Sequence, residues 1–338
     1  MRRLFEFLHD RFRIGGQTLL LLGAFVVLLV AFGVSSPSFL TLRNISSMAF
    51  LLPELGLMTL GMVVTMVIGG IDLSINDTAN LSAALSGLFI VRVAPLLFGQ
   101  QNMTVMLAFA VLVGLLAGFL CGLINGILIG RMRIPAILAT LGTMTLYRGI
   151  TVGLTRGKSL SGFPDQLAVI GNGTLLGVPI SFLMFIAIAV VVSIVLRRTV
   201  LGFEAIMMGT NETAARFSGI RTERLNVKIY AISGVLGAVA GIVIMSRINS
   251  VAYEYGTRTY IILTILIAVL SGVQPGFGKI LNVVFAVFIL QMLSTGFNML
   301  LIGVTGSTFF RDFAWGFLFL VFFIVPYFVN KGRRKGDL

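Results

Sequence analysis

Apolar residues run in long unbroken blocks along this chain, and polar residues gather in the gaps between them. A helix rises about 1.5 Å per residue, so a block of roughly 20 residues matches the hydrocarbon thickness of a bilayer. The alternating pattern that a membrane-spanning β-strand needs is missing. The blocks predict ten helical spans, at 17–34, 45–69, 73–91, 104–129, 134–154, 180–196, 226–247, 259–271, 280–302 and 309–329. The expected fold class is an all-α integral membrane protein, folded as one transmembrane domain over 1–338.

Two of the blocks are irregular. The run 259–271 is short of a full crossing and meets Ser-Gly-Val-Gln-Pro-Gly-Phe-Gly at 271–278. Gly69 and Gly70 interrupt another run just before Ile71, Asp72, Leu73 and Ser74. Glycine- or proline-broken segments in two halves of a membrane protein are the sequence mark of a transport pathway. Asn125–Gly130 and Asn298–Gly303 both read Asn-x-x-Leu-Ile-Gly at the ends of the fourth and ninth spans. That echo is what an inverted repeat would leave. In the fourth span Gly114, Gly118, Gly122, Gly126 and Gly130 recur every four residues. This is one face of a helix, built for close backbone approach. The seventh span carries a similar patch at Gly234, Gly237, Ala238 and Gly241.

Composition narrows the class. The chain is 57% hydrophobic and only 11% charged, against roughly 25% charged in an ordinary soluble domain. A soluble enzyme, a disordered chain and a nucleic-acid-binding domain are excluded. One cysteine, Cys121, excludes a disulfide framework, and one histidine, His9, excludes a histidine-rich metal site. The net charge of +13 comes from basic residues clustered between the spans. With the N-terminus in the cytoplasm, 17 of the 25 lysines and arginines fall on the inner side. The positive-inside rule then places both termini in the cytoplasm, with membrane lipid as the surrounding partner.

Chemistry is sparse. No catalytic set is visible, so the chain is not expected to be an enzyme. Gly157-Lys158-Ser159 is not a phosphate loop, because Val152 stands where that loop needs glycine. Asp72, Asn76 and Asn80 are spaced to share a helix face in the third span. They either line a pathway for a polyhydroxylated solute or act as a helix cap and interhelical hydrogen bonds. Thr140, Thr143, Tyr147 and Thr151 share a face of the fifth span, where threonine hydroxyls are expected to bond their own helix. Glu54, after Pro53, is expected near a helix start. The long cytoplasmic loop 197–228 contains Gly209-Thr-Asn-Glu-Thr-Ala-Ala-Arg-Phe-Ser-Gly-Ile220. Its pattern predicts a short helix ended by glycine, either a docking element for another protein or a plain interfacial helix.

Three stretches carry a family resemblance. Gly69-Gly-Ile-Asp-Leu-Ser74, the 209–220 loop, and Ile134–Gly142 with Tyr147-Arg-Gly149 are similar to segments of the permease subunit of ATP-binding-cassette importers for simple sugars, of the ribose, xylose and arabinose type. The resemblance covers about 40–330. It implies a bacterial inner-membrane, multi-pass protein moving a monosaccharide or small polyol. It also implies a second permease subunit (a copy or a different one), two cytoplasmic ATPase subunits and an extracytoplasmic sugar-binding protein. ATP would be bound by those partners, leaving this chain without a cofactor. Asp72, Ser74, Asn76, Asn80, Thr143 and Tyr147 would belong to the transport pathway. Gly209, Asn211, Glu212, Ala214, Ala215, Ser218 and Gly219 would couple to the ATPase. The chain departs from the family pattern at Ile75-Asn76-Asp77, at 258–263 and within 271–279. The competing reading is a secondary transporter driven by an ion gradient, which needs intramembrane carboxylates; Asp72 and Asp77 are the candidates.

Overall fold

In a computed structural model, residues 16–98, 103–256, 259–301, 313, 315 and 316 are described. The helices are α1 (Gly16–Ser35), α2 (Leu42–Val67), α3 (Ile75–Leu88), α4 (Ala94–Phe98), α5 (Met103–Gly130), α6 (Ala136–Thr155), α7 (Asp165–Asn172), α8 (Ile180–Arg198), α9 (Val200–Thr210), α10 (Glu212–Phe217), α11 (Thr222–Ile248), α12 (Thr259–Leu270) and α13 (Ile280–Leu300). A π-helical stretch, Phe89–Val93, joins α3 to α4. Among the described residues, eight helical segments are long and apolar enough to cross a membrane. The α3–α4 segment is one of them, continuous from Ile75 to Leu97. The eighth predicted span is the short helix α12. The tenth, 309–329, lies outside the described residues except for 313, 315 and 316.

The core is a pair of central helices. Within their most apolar windows α2 is 78% and α11 is 83% buried, whereas α1 is only 17% buried. Glu54 meets Arg247 and Gly61 abuts Ser233, so α2 and α11 run antiparallel. Each has a long companion: α5 packs on α11 and α13 packs on α2.

The glycine stripe does what its spacing predicts. A Cβ added at Gly118 would strike the backbone of Gly234; one at Gly122 would strike Tyr230, and one at Gly126 would strike Val227. On the facing helix, Gly234 opposes Gly118 and Gly122. The two backbones are therefore as close as main chains allow. In lipid there is no hydrophobic drive between apolar helices, so this dispersion contact is what holds them.

One expectation is corrected here. Glu54 does not start a helix. α2 begins at Leu42, where the Thr41 side chain caps Asn44 N–H, and continues through Pro53. Glu54 therefore lies well inside α2, 2% exposed, and pairs with Arg247.

Candidate functional site: a broken helix and the segment beneath it

α2 ends at a glycine pair. Gly70 N–H bonds Thr65 O at 2.9 Å and Gly69 N–H bonds Met66 O at 3.0 Å, with Gly69 at φ +85°. This is the Schellman closure, and its left-handed position suits glycine. The chain then runs irregularly to Ser74 before α3 begins. Gly70 lies directly against the Tyr230 hydroxyl, so a side chain there has no room.

Asp72 sits in this gap, 1% exposed. One carboxylate oxygen accepts from Ser74 N–H (3.1 Å) and Ser74 Oγ (2.7 Å); the other accepts from Ser233 Oγ (2.7 Å). Ser74 Oγ accepts from Asn125 Nδ2 at 2.8 Å, and Asn125 Oδ1 accepts from Thr143 Oγ1 at 2.6 Å. A continuous polar chain thus ties the gap to α5, α6 and α11. Non-helical backbone at membrane depth is tolerated where protein surrounds it in this way.

The predicted residues divide into groups. Asp72, Ser74 and Thr143 come together through Asn125. Asn76 and Asn80 do not join them, because α3 starts at Ile75 and Asp72 precedes the helix. Their amides instead donate to Tyr255 O, and Asn80 also to Tyr253 O, pinning the segment after α11. Tyr147, one turn after Thr143 on α6, donates to Cys121 O at 2.8 Å. Thr151 bonds its own helix, as expected, and Thr140 does so too but also reaches Ile71 O in the gap at 3.1 Å.

Two ionic clusters escaped the sequence reading. Arg148 of α6 holds Asp77 with both ends of its fork, at 2.9 and 3.1 Å. Glu54 accepts from Arg247, from Tyr255 (2.9 Å) and from Tyr260 (3.0 Å). It borders a polar cavity of about 440 Å³ with Gln291, Ser294 and Asn298. Both clusters left one signal, an ionisable residue deep inside an apolar run, which demands a partner.

Within 197–228, α10 forms a short helix followed by a left-handed glycine, α9 precedes it, and 222–228 already belong to α11. Thr199 caps α9. The Asn211 side chain caps α10 by accepting from Ala214 N–H at 3.0 Å, and Glu212 pairs with Arg216 at 2.9 Å. Ile220 N–H bonds Ala215 O and Gly219 N–H bonds Arg216 O, both at 3.1 Å, with Gly219 at φ +86°. Ser218 N–H closes on Ala214 O. Ala215 faces the protein, fully buried, whereas Ala214 is exposed and Phe217 is 90% exposed. Gly209, ending α9, lies in a three-way junction. A Cβ there would strike Val67 O and Gly276 N, which are hydrogen-bonded to each other at 2.8 Å. The α9–α10 segment therefore bears on the end of α2, just before the break, and on the turn after α12.

The family model described as "Branched-chain amino acid transport system / permease component" matches residues 44–326. The chain is 32% identical to a ribose import permease protein of Bacillus subtilis (strain 168), over 82% of this chain and 84% of that one. It is 29% identical to an L-arabinose transport system permease protein of Escherichia coli (strain K12), over 93% and 92%. It is also 29% identical to an autoinducer 2 import system permease protein of Photorhabdus luminescens, over 89% and 88%. No solved structure matches.

Proposed function

The chain belongs to the branched-chain amino acid transport system / permease component family, and from that premise we propose that it is the membrane-spanning subunit of an ATP-driven importer of a monosaccharide or related small polyol. Relatives named for ribose, L-arabinose and autoinducer 2 import support that substrate class. ATP is hydrolysed by two separate subunits at the cytoplasmic face. A second permease subunit completes the pore, and an extracytoplasmic binding protein delivers the sugar. The basic residues of 197–228 support an orientation with that loop and both termini in the cytoplasm, and the relatives support a bacterial inner membrane as its location.

The observation that carries this reading is the junction at Gly209. A segment with ATPase-docking character is wedged against both irregular stretches, the α2 break and the 271–279 turn. Glu212, Ala214 and Phe217 face outward to meet the ATPase, and Asn211, Ala215, Ser218 and Gly219 fix the shape and seat of α10. Movement of the segment shifts the end of α2. The shift passes through Asp72, Ser74 and Thr143 to the helices around the pathway, which Asn76, Asn80 and Tyr147 help to shape.

The ion-coupled alternative fits less well. Asp77 is held in a bidentate ion pair and Asp72 by three donors, so each carboxylate already has a structural role tying helices together. The test is Gly219→Val, which forbids the turn ending α10. Membrane insertion is expected to persist while ATPase co-purification and ATP-driven uptake are both lost. Retention of both would refute the coupling role.

A further inference from the structure

An apolar groove of about 580 Å³ lies between α5 and α8, with Phe119 and Val191 exposed at its rim. Its floor is Ile232 and Leu236 of α11 with Val64 of α2; its walls are Phe119 of α5 and Val191 and Val195 of α8. Only one ionisable side chain borders it. Lys228 stands at the end nearest the α8–α9 connection, exposed and without an ion-pair partner among the described residues. Arg197 and Arg198 end α8 on that same side, also exposed and without an ion-pair partner among the described residues.

We propose that this groove holds one acyl chain of an anionic phospholipid, whose phosphate is bound by Lys228. The α8 wall from Ile188 to Leu196 is about 12 Å long, close to the depth of one leaflet, which is about 15 Å. A sugar finds no hydrogen-bonding partner on these walls, and an apolar groove of this kind does not retain water. The single lysine at one end, backed by two arginines, gives the site a polarity that fits an amphiphile with a negative head. Lysine reaches such a head with its stem along the apolar wall and its ammonium at the interface. Arginine-rich charge at the same level adds attraction to anionic lipid over neutral lipid. The orientation proposed above makes this the cytoplasmic leaflet, but the site itself does not depend on that orientation or on the transport reading.

The test uses the full-length chain in nanodiscs of phosphatidylcholine with a minor fraction of phosphatidylglycerol. It is then released into mild detergent, and retained lipid is counted by native mass spectrometry. The unmodified chain is expected to keep one phosphatidylglycerol per copy. Lys228→Gln is expected to lower its retention about fivefold, from the attraction of one basic residue at an anionic surface. Val235→Trp, at a partly exposed groove position, is expected to displace the lipid while leaving helical content unchanged by circular dichroism. Lys279→Gln, a basic residue away from the groove, is the control and is expected to change nothing. Equal retention in all four proteins overturns the proposal, as does an equal loss in Lys279→Gln. Retention of phosphatidylcholine in place of phosphatidylglycerol, or a second protein chain in the groove, overturns it too.

Discussion

Asp72 and Asp77 lie within a few residues of each other in the helix bundle, and they are neutralised by different means. Asp77, 1% exposed, has a full counter-charge in Arg148. Asp72 has only dipoles: two serine hydroxyls and one backbone N–H. Removing a partner therefore has different consequences. Arg148→Ala leaves Asp77 as an uncompensated buried charge, a loss of about 3–5 kcal/mol. Adding Asp77→Asn is expected to recover much of it, as read by thermal unfolding in detergent. A double variant no more stable than Arg148→Ala would contradict the pairing. Ser233→Ala removes one of Asp72's three donors, and about 1–3 kcal/mol is expected. An unchanged melting temperature would show that Asp72 is held some other way. Neither arrangement could be read from the chain alone. Arg148 is 71 positions from Asp77, Ser233 is 161 from Asp72, and Arg247 is 193 from Glu54. Sequence shows that a buried ion needs a partner, not which distant side chain supplies it.

At the scale of helices, local pattern was far more informative. The fourth-span glycine stripe and the seventh-span small patch were visible as four-residue periodicities; Gly234 and Ala238 meet the stripe in the α5–α11 contact, whereas Gly237 and Gly241 abut Ile75 and Ala79 of α3. Gly142, on α6, is also a helical glycine, yet nothing lies within 4 Å of a Cβ added there. Gly122→Val is expected to force the two helices apart, with a cost of about 1–3 kcal/mol or more from overpacking. Gly142→Ala is expected to leave stability unchanged or slightly raised. Comparable melting temperatures for the two would remove the close-packed contact from the account. The glycine pair at 69–70 and Gly219 were equally legible, because a helix that must stop leaves a left-handed position for glycine to fill. Where α3 starts was less so. Asp72, Asn76 and Asn80 have helical spacing, but the helix begins only at Ile75. The break consumes the residues that the spacing assigned to a common face. Proline misled in the other direction: Pro53 suggested a helix start, but α2 passes through it.

For the whole molecule, span count and orientation rest on the distribution of apolar and basic residues. Orientation is checked by single cysteines at Ser159 and Arg221, in a background lacking Cys121. In intact cells an impermeant thiol reagent is expected to label position 159 and spare 221; the opposite labelling would invert the topology. The functional claim is that the α9–α10 segment drives the break after α2 by direct contact. The most direct measurement is Gly209→Val in the assembled transporter, reconstituted with its ATPase and binding protein. A side chain at Gly209 collides with the hydrogen-bonded Val67 and Gly276 backbones while leaving the outward face of α10 untouched. The expected result is ATPase that still binds and still hydrolyses ATP, with sugar uptake reduced to background. Uptake at the unmodified rate, with the ATPase bound and active, would contradict transmission through this junction.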